Sequence, residues 1–151
     1  DKQEFGDIKG VTDKGYYDNS FHVSSRINIS PFDKLKLEAL GHKYSAGGHI
    51  SYIETDSLTK NLEAIPDILR YAKMVGIHYM GINQPVDKCH ICGYKGEFTA
   101  TKEGFTCPQC GNHDSNEMSV IRRVCGYLSQ PNARPFNKGK QEEIMHRVKH
   151  S

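Results

Sequence analysis

The sequence lacks a long apolar run and a large excess of either charge, and these absences exclude several classes of protein. No stretch approaches the roughly 18 apolar residues that a membrane helix needs, and residues 1–6 contain no apolar core of a secretory signal. Lys and Arg number 20 against 18 Asp and Glu, which argues against a polycationic nucleic-acid coat protein. We therefore expect a cytoplasmic protein without a membrane or nucleic-acid partner, and its 151 residues suit one ordinary domain.

Two helices are predicted in the first half of the chain. Ser30 and Pro31 are a typical N-cap and first-turn residue, and Gly41 stands where the leucine-rich pattern after them ends. A second helix is predicted to begin near Pro66, where apolar residues recur at helical spacing. Gly76 follows it as a C-cap.

Two strands flank the second helix. Residues 47–54 predict a strand that is entered through a glycine pair, and residues 77–82 predict a buried strand. Strand, helix, glycine and strand in succession indicate an α/β unit that belongs to a larger sheet or barrel. We assign residues 1–86 to this section of the chain.

Four of the five cysteines form two pairs, Cys89 with Cys92 and Cys107 with Cys110. Together they can close the tetrahedral four-thiolate site that Zn²⁺ favours, and a closed site is structural rather than catalytic. Spacing alone leaves iron open as the metal. Two disulfides are disfavoured, because nothing indicates export to an oxidising compartment.

Residues 87–112 are predicted to fold as a zinc ribbon around these cysteines. They contain few large aliphatic side chains, so they need a cross-link to hold a core. A hairpin between the two cysteine pairs is predicted to turn at residues 102–104. Tyr94, Phe98 and Phe105 are expected to build a small core rather than to stack on nucleic-acid bases.

The eight histidines show no metal-ligand spacing among themselves. His90 lies inside the first cysteine pair and is expected to be a bystander, because four thiolates are available. The others are expected to be hydrogen-bonded or solvated side chains: His22, His42, His49, His78, His113, His146 and His150.

Residues 113–151 are assigned to a tail, in which residues 140–149 predict a short helix. Residues 122–151 hold seven Lys and Arg against two Asp and Glu. Such a patch attracts phosphate, but it equally suits a solvated face or a docking surface for a protein.

The tail also contains a resemblance to a known family. Residues 123–127, Arg-Val-Cys-Gly-Tyr, resemble the signature that glycyl radical enzymes carry near their C-terminus. The whole chain resembles one branch of that family, the anaerobic (class III) ribonucleoside-triphosphate reductases of bacteria and T4-like phages. Besides the four cysteines, the resembling segments are residues 12–17, 19–23, 47–50, 133–137 and 139–143. Ser129 departs from the pattern, which usually has a glycine there, but it leaves the radical position unchanged.

The resemblance implies that Gly126 carries the radical. A radical at Cα is stabilised by delocalisation into the flanking amides, and glycine alone lacks the Cβ that would crowd this geometry. In the family, an activase that uses S-adenosylmethionine and an iron–sulfur cluster removes the glycine hydrogen. The radical then oxidises an active-site cysteine to a thiyl, which attacks the ribose of a ribonucleoside triphosphate.

The implied fold is the C-terminal portion of a ten-stranded α/β barrel, followed by the zinc ribbon and a glycyl radical loop. The implied partners are the N-terminal part of the catalytic chain, which bears the thiyl cysteine, the activase, and a second copy in a homodimer. The chain alone is not expected to be active. Four cysteines are predicted metal ligands, and Cys125 adjoins Gly126, where it is poorly placed to serve as the thiyl cysteine. No glycine-rich loop that would bind a triphosphate is present either.

Three interpretations remain open from the sequence. The chain is the radical-bearing C-terminal part of such a reductase, or a spare radical module that repairs a damaged reductase. The third interpretation is a zinc-ribbon module that binds nucleic acid or protein and carries no radical.

Overall fold

The computed structural model describes residues 2–17, 22–45, 47–56, 58, 61–124, 127–130 and 135–150, and it is a mixed α/β structure. The helices in these ranges are α1 (Lys2–Phe5), α2 (Pro31–His42), α3 (Ala64–Val75) and α4 (Lys138–His146). The strands are β1 (Ser51–Glu54), β2 (Met80–Asn83), β3 (Asp87–Cys89), β4 (Lys95–Gly96), β5 (Thr99–Thr101), β6 (Gly104–Thr106), β7 (Met118–Ser119), β8 (Arg122–Val124) and β9 (Tyr127–Ser129). None of the helices in the described ranges combines the length and apolar character needed to cross a lipid bilayer.

The chain divides into two compact units. We call the first the cysteine unit, which comprises Asp1–Asn19 and Val86–Arg147. We call the second the parallel-strand unit, which comprises Ser20–Pro85 and Val148–Ser151. The predicted division into residues 1–86, 87–112 and 113–151 stays a prediction.

The parallel-strand unit is built on a β-α-β arrangement. β1 and β2 pair in parallel, with Ser51 opposite Met80, and α3 connects them along the chain. Its core is formed by four buried apolar residues that come from α2, β1 and α3: Leu35, Ile53, Ile68 and Ala72. The predicted α/β unit is therefore confirmed for this part of the chain.

The ends of the two longer helices differ in how well the sequence predicted them. The Ser30 hydroxyl accepts the Asp33 N–H at 3.1 Å, which confirms the N-cap of α2. Gly76, at φ 89°, confirms the left-handed C-cap of α3. The predicted end of α2 at Gly41 is wrong, because the helix runs on to His42, whose buried ring is bonded to the Ser51 hydroxyl. Tertiary packing here overrides the weak helix propensity of glycine.

β1 is shorter than predicted, and its more buried face includes polar residues. The strand covers Ser51–Glu54 rather than residues 47–54. Ser51 and Ile53 are buried together with His49, whereas Ile50 and Tyr52 are half-buried. The alternation that predicts a strand is present, but its more buried side carries polar groups.

The cysteine unit contains short antiparallel pairs. β3 lies between β4 and β7, and β8 pairs with β9. β5 and β6 form the predicted hairpin, with Gly104 as the first residue of β6 rather than in the turn.

Helix α4 belongs to the cysteine unit and begins earlier than predicted. It starts at Lys138 rather than at residue 140, because the Asn137 side chain accepts the Lys140 N–H at 3.0 Å. It ends at His146, so the predicted extension to residue 149 is wrong. A Cβ on Gly139 would lie 3.0 Å from the Gly15 carbonyl oxygen, so glycine permits the close approach of these two segments.

Candidate functional site

The two cysteine pairs lie on tight turns that are closed by glycines. The Gly93 N–H donates to the Cys89 carbonyl at 3.1 Å, and the Gly111 N–H donates to the Cys107 carbonyl at 2.9 Å. Both glycines have positive φ, 76° and 72°, which a side chain would disfavour. The turns bring the two thiols of each pair to the same side of the backbone.

The four sulfur atoms form one cluster. Cys89 Sγ lies 3.7 Å from Cys110 Sγ, and Cys92 Sγ lies 3.7 Å from Cys107 Sγ. All four sulfurs lie within 4.8 Å of one another. A tetrahedral site with Zn–S bonds of about 2.3 Å separates its sulfurs by about 3.8 Å. The four predicted ligands therefore stand at the spacing of a four-thiolate zinc site.

The thiols do not ionise alike. The Cys92 N–H, the Ile91 N–H and the Asn112 amide stabilise the thiolate of Cys89 and lower its pKa to about 6, although burial opposes them. The Tyr94 N–H lowers the pKa of Cys92 in the same way. Burial and the neighbouring sulfurs outweigh it and raise that pKa to about 12. Like charges this close together repel each other, and a cation at the centre of the cluster would offset that repulsion.

The rest of this site agrees with the predicted small core. Phe98, Met118 and Val120 are buried with Cys89 and Cys107, and Tyr94 and Phe105 pack against them. The His90 ring forms an exposed hydrogen bond of 3.0 Å with the Ser119 hydroxyl. His90 is not part of the group of four cysteines, and its role as a bystander stays a prediction.

A buried ion pair that the sequence did not predict adjoins the cluster. Asp87 on β3 and Arg122 on β8 are 1% and 8% exposed, and the guanidinium contacts the carboxylate. Asp87 stands two residues before Cys89, but nothing in the sequence relates it to an arginine 35 positions later. Only the pairing of these residues in space identifies them.

The predicted radical position itself lies outside the described residues, as does Cys125. The structure describes the strands on either side, β8 and β9, which are antiparallel with Val124 opposite Tyr127. Cys125 and Gly126 stand between these two register partners in the sequence. The Arg123 carbonyl of β8 also accepts a bond of 2.7 Å from the Arg147 guanidinium, which follows α4.

A cluster of four histidine rings, which the sequence did not predict, lies in the parallel-strand unit. Ring centroids are 4.8 Å apart for His22 and His49, 4.3 Å for His42 and His49, and 5.9 Å for His42 and His78. Among the described residues, the grouping that can hold a metal is that of the four cysteines, so these rings are not assigned as ligands. The prediction that each histidine is a hydrogen-bonded or solvated side chain and not a metal ligand stays a prediction, although the His42 ring is hydrogen-bonded to the Ser51 hydroxyl.

The cluster joins a buried polar stripe on α2. Lys34, Glu38 and His42 follow one another at intervals of four residues and are all buried, and Lys34 pairs with Glu38. Burial raises the pKa of Glu38, but the Lys34 charge prevails and holds it below 4.5. The stripe was visible in the sequence as three polar residues at helical spacing, a pattern that normally indicates a solvated face.

The pKa values of two histidines in this cluster are lowered. Burial and the nearby His49 and His78 lower the pKa of His42 below 6.5, and Glu38 opposes them. Burial lowers the pKa of His49 also. His42 Nδ1 accepts the His78 N–H at 3.3 Å, so the neutral ring carries its proton on Nε2, which faces the Ser51 hydroxyl.

Comparisons with known proteins identify the family of the chain. The family model for anaerobic ribonucleoside-triphosphate reductase matches residues 1–150. The chain is 51% identical over 150 residues to the anaerobic ribonucleoside-triphosphate reductases of Escherichia coli and Haemophilus influenzae, and equally to that of Enterobacteria phage T4. Each match covers 99% of the chain, which spans 21% of the length of the two bacterial proteins and 25% of the phage protein. The chain belongs to the anaerobic ribonucleoside-triphosphate reductase family.

Proposed function

We propose that this chain acts as the radical-bearing C-terminal part of an anaerobic ribonucleoside-triphosphate reductase. Together with the portion that completes the relatives' length, it would reduce ribonucleoside triphosphates to deoxyribonucleoside triphosphates for DNA synthesis. The observation that carries this proposal is the 51% identity to reductases over 99% of the chain. A short motif match would not extend over the strands, the cysteine cluster and the tail alike.

The four-cysteine cluster would hold one structural Zn²⁺ and make residues 87–112 a zinc ribbon. The sulfur spacing of 3.7 Å and the burial of Cys89 and Cys107 support this assignment. Four thiolates leave no open position for substrate, so the metal would supply folding free energy and no catalytic step. The chain's own contribution is to hold the thiolates with the Gly93 and Gly111 turns.

Gly126 would carry the radical after an activase with S-adenosylmethionine and an iron–sulfur cluster removes one hydrogen from its Cα. Support comes from the resemblance of residues 123–127 and from the family match across the chain. The β8 and β9 strands would bring this loop to the thiyl cysteine that the rest of the reductase supplies.

The parallel-strand unit would form part of the ten-stranded barrel. Its two parallel strands need neighbours, because sheets of this kind are normally covered on both faces and at their edges. The expected partners are therefore the N-terminal portion of the catalytic chain, a second copy in the homodimer, and the activase. A reducing cytoplasm would keep the thiols free for the metal.

A nucleic-acid-binding module receives less support from the structure. Three of the seven basic residues in 122–151 are paired with carboxylates of the same chain. These pairs are Arg122 with Asp87, Arg147 with Glu143, and Lys149 with Asp56. Phe98 is buried in the small core, where it cannot stack on a base.

The proposed function is tested on the reductase assembled from this chain and the portion that completes it. After anaerobic incubation with the activase, reductant and S-adenosylmethionine, we expect a doublet electron paramagnetic resonance signal and formation of deoxyribonucleotide. Gly126→Ala should abolish both, because alanine carries a Cβ at the radical centre. Oxygen should then cut the activated wild-type backbone at residue 126 and release a small C-terminal fragment.

Gly47→Ala is the matched control. Position 47 has an ordinary φ and no heavy atom within 4 Å of an added Cβ, so this variant should keep the doublet. A doublet that persists in Gly126→Ala would refute the radical assignment. Wild-type protein that gives neither doublet nor deoxyribonucleotide would refute the proposed function.

A further inference from the structure

The Asp87 carboxylate connects three parts of the cysteine unit. It is 1% exposed and lies on β3, two residues before the first cysteine of the cluster. One oxygen accepts the Phe98 N–H at 2.8 Å, at the entrance to the β5–β6 hairpin. The other accepts the Ile121 N–H at 3.3 Å and the guanidinium of Arg122. A single buried charge therefore joins β3, the hairpin entrance and the start of β8.

The Arg122 guanidinium contacts the same three segments from the β8 side. Its Nη2 donates to the Phe98 carbonyl at 3.2 Å, while Nη1 contacts Asp87 and the Ile121 carbonyl. The guanidinium carbon lies 5.0 Å from the centroid of the Phe105 ring, within cation–π range. The planar fork thus satisfies partners on different segments at once, which a lysine ammonium cannot reproduce.

This pair lies at the base of the β8–β9 hairpin. Arg122 is the first residue of β8 and stands opposite Ser129 in the register, four residues before Gly126 in the sequence. The position of β8 relative to the cysteine cluster is therefore set by a fork of directional bonds as well as by apolar contact. Directional bonds fix an orientation, which apolar packing alone does less well.

We infer that Asp87 and Arg122 are positioning residues for radical transfer, which fix the β8–β9 stem against the zinc-bound cluster. This inference rests on the proposed function. Their role would be to hold the stem so that Gly126 meets the activase, and later the thiyl cysteine, at the correct distance. A misplacement of about 1 Å at a reacting centre lowers a rate by about a hundredfold.

The alternative is that the pair only stabilises the fold. Removing one partner leaves a buried charge without its counterion, so single variants can lose stability for that reason alone. Asp87→Asn/Arg122→Met avoids this problem. It removes both charges together, and the asparagine oxygen still accepts a backbone N–H from Phe98 or Ile121.

The experiment compares Arg122→Met, Arg122→Lys and the double variant in the assembled reductase. The readouts are zinc per chain, the melting curve, the doublet yield after activation, and kcat and KM per radical formed. We expect the double variant to keep its zinc and melting curve but to lose about tenfold in doublet yield or in kcat per radical, with KM unchanged. Arg122→Lys should lose less than the double variant, because lysine keeps a positive charge opposite Asp87.

Arg70→Met is the matched control, because Arg70 pairs with Asp67 in an exposed ion pair on α3. It should leave every readout unchanged. The inference is overturned if the double variant keeps the wild-type doublet yield and kcat, or if doublet and zinc fall together in all variants. A wild-type reductase without a doublet would instead refute the proposed function, and the inference with it.

Discussion

The two units of this chain stabilise their interiors by different means. In the parallel-strand unit, the core consists of aliphatic side chains from α2, β1 and α3, with Leu35 and Ile53 fully buried. In the cysteine unit, the cluster around the sulfurs consists of five buried residues, two of which are cysteines: Cys89, Phe98, Cys107, Met118 and Val120. The first unit relies on buried apolar area, whereas in the second the proposed metal would supply part of the folding free energy.

Both units also bury an ion pair, but the surroundings differ. Asp87 and Arg122 are bonded to backbone groups on separate segments, so their charges are saturated by fixed partners. Lys34 and Glu38 lie on one helix beside the histidine cluster, which can gain protons. The cysteine unit should therefore respond to removal of metal, and the parallel-strand unit to acid.

The largest expected effect is loss of the metal. Cys107→Ala should lower zinc from about one per chain to near zero, because three thiolates no longer close the site. Structural zinc sites have apparent binding free energies of about 10–16 kcal/mol, so residues 87–119 should lose their protection against hydrogen exchange. Residues 64–83, in the parallel-strand unit, should keep theirs.

Cys125→Ala is the control for that variant, since it removes the one cysteine that is not among the four predicted ligands. It should leave the zinc content unchanged. If Cys107→Ala kept full zinc and the same exchange pattern, the four-cysteine assignment would be wrong.

The next effect is a pH dependence confined to the parallel-strand unit. Since the folded pKa of His42 and His49 lies below 6.5, the unfolded chain binds more protons between the two values. Their contribution to stability is complete above about pH 6.5 and is lost as the pH falls towards the folded pKa. Protonating His42 Nδ1 would also remove the acceptor of the His78 N–H.

We therefore expect exchange protection of α3 and β1 to fall as the pH is lowered from about 7.5 to about 5.5. Glu38 opposes this effect, since its charge raises the pKa of both rings. Among the described residues, His22 and His78 complete the cluster, and Lys34 and Tyr52 also face it. His49→Gln should reduce the slope. An identical slope in that variant and the wild type would show that other groups control the pH dependence.

The sequence predicted the cysteine cluster better than the details of the parallel-strand unit, for a physical reason. Metal ligation is local, because each pair needs only two residues and a glycine turn, so Cys89 and Cys107 identify the site. The end of α2 was mispredicted, because His42 extends the helix to reach Ser51 on β1. Asp87 and Arg122, like the histidines, come into contact only in the folded chain. Neither local propensity nor sequence spacing predicts such contacts.

The smallest expected effect comes from glycines with positive φ, one in each unit. Gly76→Ala should lower the free energy of unfolding by about 1–2 kcal/mol, because residue 76 has φ 89° and only glycine adopts this conformation without penalty. An added Cβ would meet no atom within 4 Å, so the loss is conformational rather than steric. Gly93→Ala, at φ 76°, should lose a similar amount, but in the exchange of the cysteine unit. Gly47→Ala, with an ordinary φ, should change neither unit; a comparable loss there would mean that the left-handed caps are not the cause.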